Sequence, residues 1–503
     1  MKVLFIRSPR YYWPVIGEQD NFWQPIAYAS LAAVLRDNDY TVRIIDCPVK
    51  KIGWKTLRRL LEKESPSVVA FGDYTPSVHE SRRLARLCKE IDDNIITIAG
   101  GQHFTFYVEE LKKAPIDFIV RFEGEETLLE LINEINKPSR KQNFSKIKGI
   151  AFLKNGKIQK SPPREAIQNL DSLPIPAFDL LPMEYYGDSP NFPKMGAMEH
   201  SRGCVGNCKF CCLWQDRDNA KHGLWRTKSV DRTLEEMEIL IKKYNKKMIN
   251  FVDNTFNVNH SWNREFAEKV IQNNWDIEYF SFLRADFALR DFYSGTLKKM
   301  VDAGLSHTVI GVERNTIEGL RKINKGQTPE IVKKAVNAIK SFNKTFVVGT
   351  VYIGVEEETY QSMMDIVDFC IELDIDLMAP LPVTPLPGTP LWEEYLKKRL
   401  ITNYDFRYYD FYTPVARSDN MSSREIKKAQ QDMMKKWFSR PKYLLRCLLH
   451  KDKGIRNRYM VHTKQGIKIP LWIMQKKLFP KFWKSKGRFE AMGFMKRPDW
   501  YET

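Results

Sequence analysis

Ser201-Arg202-Gly203-Cys204-Val205-Gly206-Asn207-Cys208-Lys209-Phe210-Cys211-Cys212 is the stretch that decides how the chain is read. Three of its thiols, Cys204, Cys208 and Cys211, follow the spacing Cys-x3-Cys-x2-Cys. Three thiolates on one short loop can hold three irons of a cubane cluster and leave the fourth iron open to a chelating ligand. Zinc is the rival, since thiolates suit it too, but a closed structural zinc site needs a fourth ligand. The nearest histidines are His200 and His222. Cys212 points differently from its neighbour Cys211 and reads as a packed thiol.

Downstream of the cysteines, apolar β-rich runs alternate with helical periodicity. Strands are expected at Met248–Val252, Tyr279–Leu283, His307–Val312, Phe346–Ile353 and Leu377–Ala379, with one more before the cysteines. Helices are expected near 231–244, 262–274, 291–303, 329–342 and 359–373. Six strands in this alternation predict a complete or partial β/α barrel with its chemistry at the carboxyl ends of the strands. Upstream, Val3–Ile6, Thr41–Ile45, Val68–Phe71, Ile95–Ala99 and Phe118–Val120 alternate with helices from Pro25, Ser77 and Glu125. That pattern predicts a doubly wound parallel sheet. Its ligand-facing strand ends carry Asp73-Tyr74-Thr75, Gly100-Gly101-Gln102-His103 and Gly124-Glu125. Between the halves, Asn155-Gly156 signals a hairpin, and the proline-rich Leu173–Pro182 reads as an extended connection.

These signals divide the chain into residues 1–137, a linker with a hairpin at 138–195, a barrel at 196–400 and a last segment at 401–503. At 503 residues and 43% hydrophobic, the chain can bury sizeable cores and is not disordered. Eight cysteines are too few for a disulfide scaffold. No run of 18 apolar residues suggests a membrane span, and Met1–Arg7 reads as a strand, so the expected location is cytoplasmic. The net charge of +18 is uneven. Residues 401–503 hold 24 Lys/Arg against 9 Asp/Glu, a net of +15, and the first 400 residues carry only +3.

The cysteine motif, with the aromatic Phe210 before its third thiol, resembles the radical S-adenosylmethionine (SAM) enzymes. The resemblance implies a [4Fe–4S] cluster on Cys204, Cys208 and Cys211, with SAM chelated at its open iron and cleaved to a 5′-deoxyadenosyl radical. Phe251–Phe256, Leu283–Asp286 and Gly311–Glu313 resemble the family's second to fourth strand segments. This implies SAM contacts from Phe210, Asp253 (or its neighbour Asn254), Arg284 and Glu313. Gly349–Gly354 with Glu356–Thr359 resembles the fifth segment in altered form, and Pro385–Leu391 the segment after the last strand. Upstream, Leu31–Arg36, Val42–Asp46, Gly100–Thr105 (Gly-Gly-Gln-His in place of Gly-Gly-Pro-His) and Arg121–Thr127 resemble the cobalamin-binding domain of the B12-dependent subfamily. The implied cobalamin contacts are Asp73, Tyr74, Thr75, Gly100, Gly101, Gln102, His103, Gly124 and Glu125. No cobalt ligand and no catalytic side chain is assigned. The implied fold is an N-terminal Rossmann-like doubly wound sheet, a partial (β/α)6 barrel and a mainly helical basic C-terminal domain.

The same resemblance implies methyl transfer to an unactivated carbon, with an electron donor such as flavodoxin or ferredoxin. Ring-forming cyclases of tetrapyrrole synthesis share the architecture, and a binding protein that senses SAM or B12 is the alternative of another class. The basic tail interleaves Lys and Arg with Leu471–Met474, Phe479, Phe482, Trp483 and Met495. It can lie on an anionic membrane surface, bind nucleic-acid phosphates, hold an anionic or lipid-like small-molecule substrate, or simply pack on the barrel.

Overall fold

The structure is a computed structural model that describes residues 1–12, 23–72, 74–187, 194–213, 225–478 and 497–503, with backbone only over 465–477. The first half is a seven-stranded sheet in the order β2-β1-β3-β4-β5-β6-β7. Strands β1 (Lys2–Arg7), β2 (Thr41–Asp46), β3 (Val68–Gly72), β4 (Ile96–Gly100) and β5 (Phe118–Val120) run parallel. Nearly all residues of β1, β3 and β5 are buried, as continuous apolar runs in a sheet covered on both faces must be. The predicted hairpin forms, as β6 (Ile150–Lys154) and β7 (Lys157–Lys160) turning at Asn155-Gly156. It pairs antiparallel with β5, so this part of the connecting segment extends the first sheet.

The second half is a six-stranded, all-parallel sheet in the order β15-β14-β13-β12-β11-β8. Its strands are β8 (Met195–Met198), β11 (Met248–Phe251), β12 (Glu278–Leu283), β13 (Leu305–Glu313), β14 (Phe346–Ile353) and β15 (Leu377–Pro382). The end strands β8 and β15 are not paired, so the barrel is open. A short antiparallel ribbon, β9 (Ser201–Gly203) with β10 (Trp225–Thr227), frames the cysteine loop.

Three elements differ from the sequence reading. The single helix expected at 291–303 is two, Ala285–Tyr293 and Thr296–Asp302, broken where Gly295 takes φ +77°. A further helix, Trp54–Glu64, buries Trp54, Leu57 and Leu61 on one face. A long helix, Lys453–Leu478, occupies part of the tail.

The tail closes the base of the barrel. The helix Ser423–Phe438 packs on Tyr360–Glu372, with Ile426, Met433 and Trp437 buried. Below it, Arg446 pairs with Asp374 at 2.6 Å, Lys442 with the same carboxylate at 3.0 Å, and Arg458 with Glu278 at the start of β12. These three basic residues therefore neutralise acids at the amino ends of the strands, away from the expected chemistry. Residues 497–503 return to the first half. There Tyr501 packs between Trp54 and Tyr11 and donates to Glu80 at 3.0 Å. Among the described residues, no helix is long and apolar enough to cross a membrane. The expected tail contacts of Phe479, Phe482, Trp483 and Met495, and the side chains of Leu471–Met474, lie outside the described residues.

Candidate functional site

The cysteine loop leaves β9 at the carboxyl end of β8. Cys204, Cys208 and Cys211 are free and partly exposed, whereas Cys212 is buried. The Gly206 amide donates to Cys204 Sγ at 3.3 Å, and Thr255 Oγ1 lies 3.4 Å from the same sulfur. A Cβ placed on Gly206 would sit 3.4 Å from Cys204 Sγ, 3.8 Å from Cys208 Sγ and 3.3 Å from Arg284 Nη1. The two thiols thus flank a bare glycine with a guanidinium beside it. Burial pushes the Cys208 thiol up to about 11, against the pull of the Lys325 ammonium. The bond to Cys212, with burial behind it, holds Cys211 well above the thiol range. Protonated as bare thiols, these groups lose their protons on ligating metal. Among the described residues, no three His, Cys, Asp or Glu side chains close on one point as a single zinc ion requires. His200 is not a ligand either: it stacks on Trp262 at 4.0 Å inside a ring of aromatics. His222 lies outside the described residues. A cluster asks each thiolate for a different iron, and three free thiols spread along one loop fit that demand.

Of the four expected SAM contacts, three border this loop. Phe210 packs on Tyr352 of β14 at 4.8 Å. Arg284, at the end of β12, pairs with Asp286 at 2.9 Å. Glu313, at the end of β13, pairs with Lys325 at 2.9 Å. Asp253 is bonded to the chain itself. It is buried, accepts from the Ser201 backbone and hydroxyl at 2.5 Å and from the His200 amide at 3.1 Å, and lies 2.8 Å from the His200 ring. Its carboxylate fixes the bend between β8 and β9, and the exposed neighbour Asn254 is the polar group left at that strand end. Sequence reading also missed Lys325, Asn324 and Gln327. Asn324 donates to the Asn207 carbonyl at 2.8 Å, the Lys209 amide donates to Ile323 O at 3.0 Å, and Gln327 donates to Asp286 at 3.0 Å. Their only signal was the polar run Asn324-Lys325-Gly326-Gln327 closing the helix after β13.

The strand ends of the first sheet face the same loop. Tyr74 is 62% exposed beyond β3, and Gly101 turns the chain at φ +84° beyond β4. Gln102 donates to Cys212 Sγ, so the β4 loop and the cysteine loop touch. A second contact joins Phe106 to Gly388. Four expected cobalamin contacts, Thr75, His103, Gly124 and Glu125, are otherwise engaged. His103 is buried, with Nδ1 3.2 Å from Thr75 Oγ1 and Nε2 3.5 Å from Glu110, and with Phe104, Tyr107 and Phe406 around its ring. Burial lowers its basicity. Glu125 accepts from Ser30 at 2.9 Å and from Arg202 at 2.7 Å. Gly124 makes room for Leu31, whose Cδ2 a Cβ would meet at 3.0 Å. Asp73 lies outside the described residues. Beside the engaged residues stand an exposed aromatic and a glycine turn whose neighbouring polar side chains are bonded to one another. A broad, uncharged ring system fits such a floor through contact and backbone groups.

The halves share continuous apolar cores, and ion pairs add to that packing. Arg202 of β9 reaches Glu125 and Glu199, each at 2.7 Å, and Arg226 of β10 pairs with Glu123 at 2.8 Å.

Residues 12–132 match the family model of the B12 binding domain, and residues 198–370 match that of the radical SAM superfamily. The chain is similar to the uncharacterized methyltransferase PH0819 of Pyrococcus horikoshii, 32% identical over 426 residues, which covers 84% of this chain and 89% of that one. It is also similar to the anaerobic magnesium-protoporphyrin IX monomethyl ester cyclase of Rubrivivax gelatinosus, 28% identical over 466 residues, 92% of this chain and 81% of the other. Its architecture matches the structure of the cobalamin-dependent SAM radical enzyme OxsB with aqua-cobalamin and SAM bound. The TM-score is 0.71 at 16% identity, over 98% of this chain and 75% of OxsB.

Proposed function

The chain belongs to the B12-binding radical SAM enzymes, which act on small molecules with a [4Fe–4S] cluster, SAM, cobalamin and a reductant, and from that premise we propose that it methylates an unactivated carbon. The observation that carries the reading is the contact between Gln102, in the loop after β4, and Cys212, beside the third cysteine of the motif. It joins the loop after β4 to the cysteine loop, and a reaction using both cofactors on one substrate needs such proximity. When bound, the cluster with SAM supplies hydrogen-atom abstraction and the cobalamin supplies methyl. In this reading Cys204, Cys208 and Cys211 hold the cluster. Phe210, Arg284, Glu313 and Asn254 border SAM, with Asp253 bracing the bend beneath it. Tyr74, Gly100, Gly101 and Gln102 face cobalamin, with Thr75, His103, Gly124 and Glu125 supporting the floor from below. The chain's own task is to orient these groups and keep water from a reactive centre. The archaeal relative named as a methyltransferase supports methyl transfer.

The test is anaerobic reconstitution with iron, sulfide, cobalamin and SAM labelled in its methyl group, followed by product analysis. Methyl transfer yields 5′-deoxyadenosine together with S-adenosylhomocysteine. Deoxyadenosine without S-adenosylhomocysteine turns the reading to cyclisation. Neither product under any substrate condition turns it to a sensor.

For the substrate we propose a lipid-like or anionic molecule met at a membrane surface. The support is the helix Pro441–Leu449, which exposes Leu448 at 70% and Leu449 at 71% just before the exposed Lys451. Co-sedimentation with anionic vesicles at low salt is the check, and absence of binding refutes it. Retention on a nucleic acid but not on vesicles would move the tail to the other reading of its charge.

A further inference from the structure

Lys325 sits where the helix Ile317–Lys322 ends and the chain passes under the cysteine loop. The segment is tied to that loop at the two residues before the lysine, by the Lys209 amide to Ile323 O at 3.0 Å and by Asn324 to Asn207 O at 2.8 Å. The Lys325 side chain is only 15% exposed and Glu313, its partner at 2.9 Å, only 9%. Several features serve to place this pair. Glu313 adopts φ +56°, a left-handed conformation that a side chain bears only under constraint, at a bulge where β13 slips against β14. Gly311, two residues earlier, has no Cβ, and one placed there would overlap both Lys325 Nζ and Glu313 Oε1. Thr350 of β14 lies 3.4 Å from the same carboxylate oxygen. Strain, a bulge and a missing side chain converge on one buried ion pair beside the thiols.

We propose that Lys325 and Glu313 are a positioning pair that sets the reduction potential of the cluster, the ammonium stabilising the electron-rich reduced state and the carboxylate limiting that effect. The proposal rests on the reading that Cys204, Cys208 and Cys211 hold the cluster. Reduction adds one electron, supplied by dithionite in the test. A fixed charge in a poorly solvated site acts strongly over a few ångströms, and the two charges have opposite signs. The pair therefore predicts a pattern of signs.

The experiment is an anaerobic redox titration of the full-length, cluster-loaded protein without SAM, followed by electron paramagnetic resonance, with iron counted in every sample. Lys325→Met should shift the midpoint to more negative potential. Glu313→Gln should shift it to more positive potential. The double variant should return toward the starting value. Equal midpoints in all four proteins, or shifts of one sign in both single variants, would overturn the proposal, because a merely structural role gives no sign reversal. If Lys325→Met does not load iron, Glu313→Gln decides alone: a positive shift supports the proposal and no shift or a negative one defeats it. Failure of the parent protein to bind iron through Cys204, Cys208 and Cys211 would instead remove the cluster reading itself.

Discussion

Replacing Arg202 by Met tests how the two halves are clasped. The guanidinium spans Glu125 and Glu199 at 2.7 Å each, with Glu123 at 3.7 Å. Glu125 has a side chain only 6% exposed, and without Arg202 it keeps the Ser30 hydroxyl as a donor. Removing one partner of a buried pair costs about 3–5 kcal/mol because the other charge stays buried. A chain of this size unfolds with an entropy of about 1 kcal/mol/K, so melting should fall by about 3–5 °C in a scan at about pH 8. Acidity gives a second handle. In the parent, burial pushes the Glu125 carboxyl up, but Arg202 outweighs it and holds the group below the carboxylate range. Its stabilisation is complete above the unfolded value of about 4.3 and is lost as pH falls through the folded value. In Arg202→Met the pull of the guanidinium is lost while the bonds from Ser30 and the backbone remain, so the folded value rises and the carboxyl takes a proton more readily as pH falls. The deficit against the parent should therefore be smaller at about pH 5, near the unfolded value of about 4.3, than at about pH 8. Glu125→Gln in the same background should recover much of the loss. Melting within about 1 °C of the parent at both pH values, with no rescue, would refute the clasp.

Three further outcomes follow from the geometry. Alanine at Cys204, Cys208 or Cys211 should abolish the iron–sulfur absorbance of reconstituted protein, whereas Cys212→Ala should keep it, since that thiol is buried against Gln102; equal loss in all four would change the ligand assignment. Gly388→Ala forces a side chain onto Phe106 at a backbone of φ +86°, and should cost about 1–3 kcal/mol in thermal or urea unfolding. Glu110 is raised by burial but brought down to about 2 by two hydrogen bonds from Arg82 and by His103. The stability it adds is present above about 4.3 and lost toward 2, so Arg82→Met should flatten acid unfolding across that window.

Much of this molecule could be read along the chain. Periodicity located most strands to within a residue or two, because buried parallel strands are continuous apolar runs. The cysteine spacing carried the site because three ligands lie on one loop and need no tertiary information. What the chain does not show is what lies opposite in space. Asp253 resembled a ligand-binding carboxylate, but two amides and a hydroxyl of the neighbouring bend occupy it. His103 followed two glycines at a strand end, yet turns inward to Thr75 and Glu110. Lys325 was invisible because its meaning comes from Glu313, Gly311 and Asn207, which no local pattern links. The helix Trp54–Glu64 did carry a signal, Trp54, Leu57 and Leu61 at helical spacing, but among many charges.

Tyr501 reaches Glu80 across 421 residues of chain, and the Thr56 amide donates to Thr503 O at 2.9 Å. A ribosome makes the helices Trp54–Glu64 and Val78–Ile91 early and the segment that covers them only after the whole barrel. Throughout that interval Trp54, though under the Arg83 guanidinium, lacks the ring of Tyr501. The first half of the nascent protein therefore carries a sticky patch that its own later residues, or a chaperone in their stead, must shield.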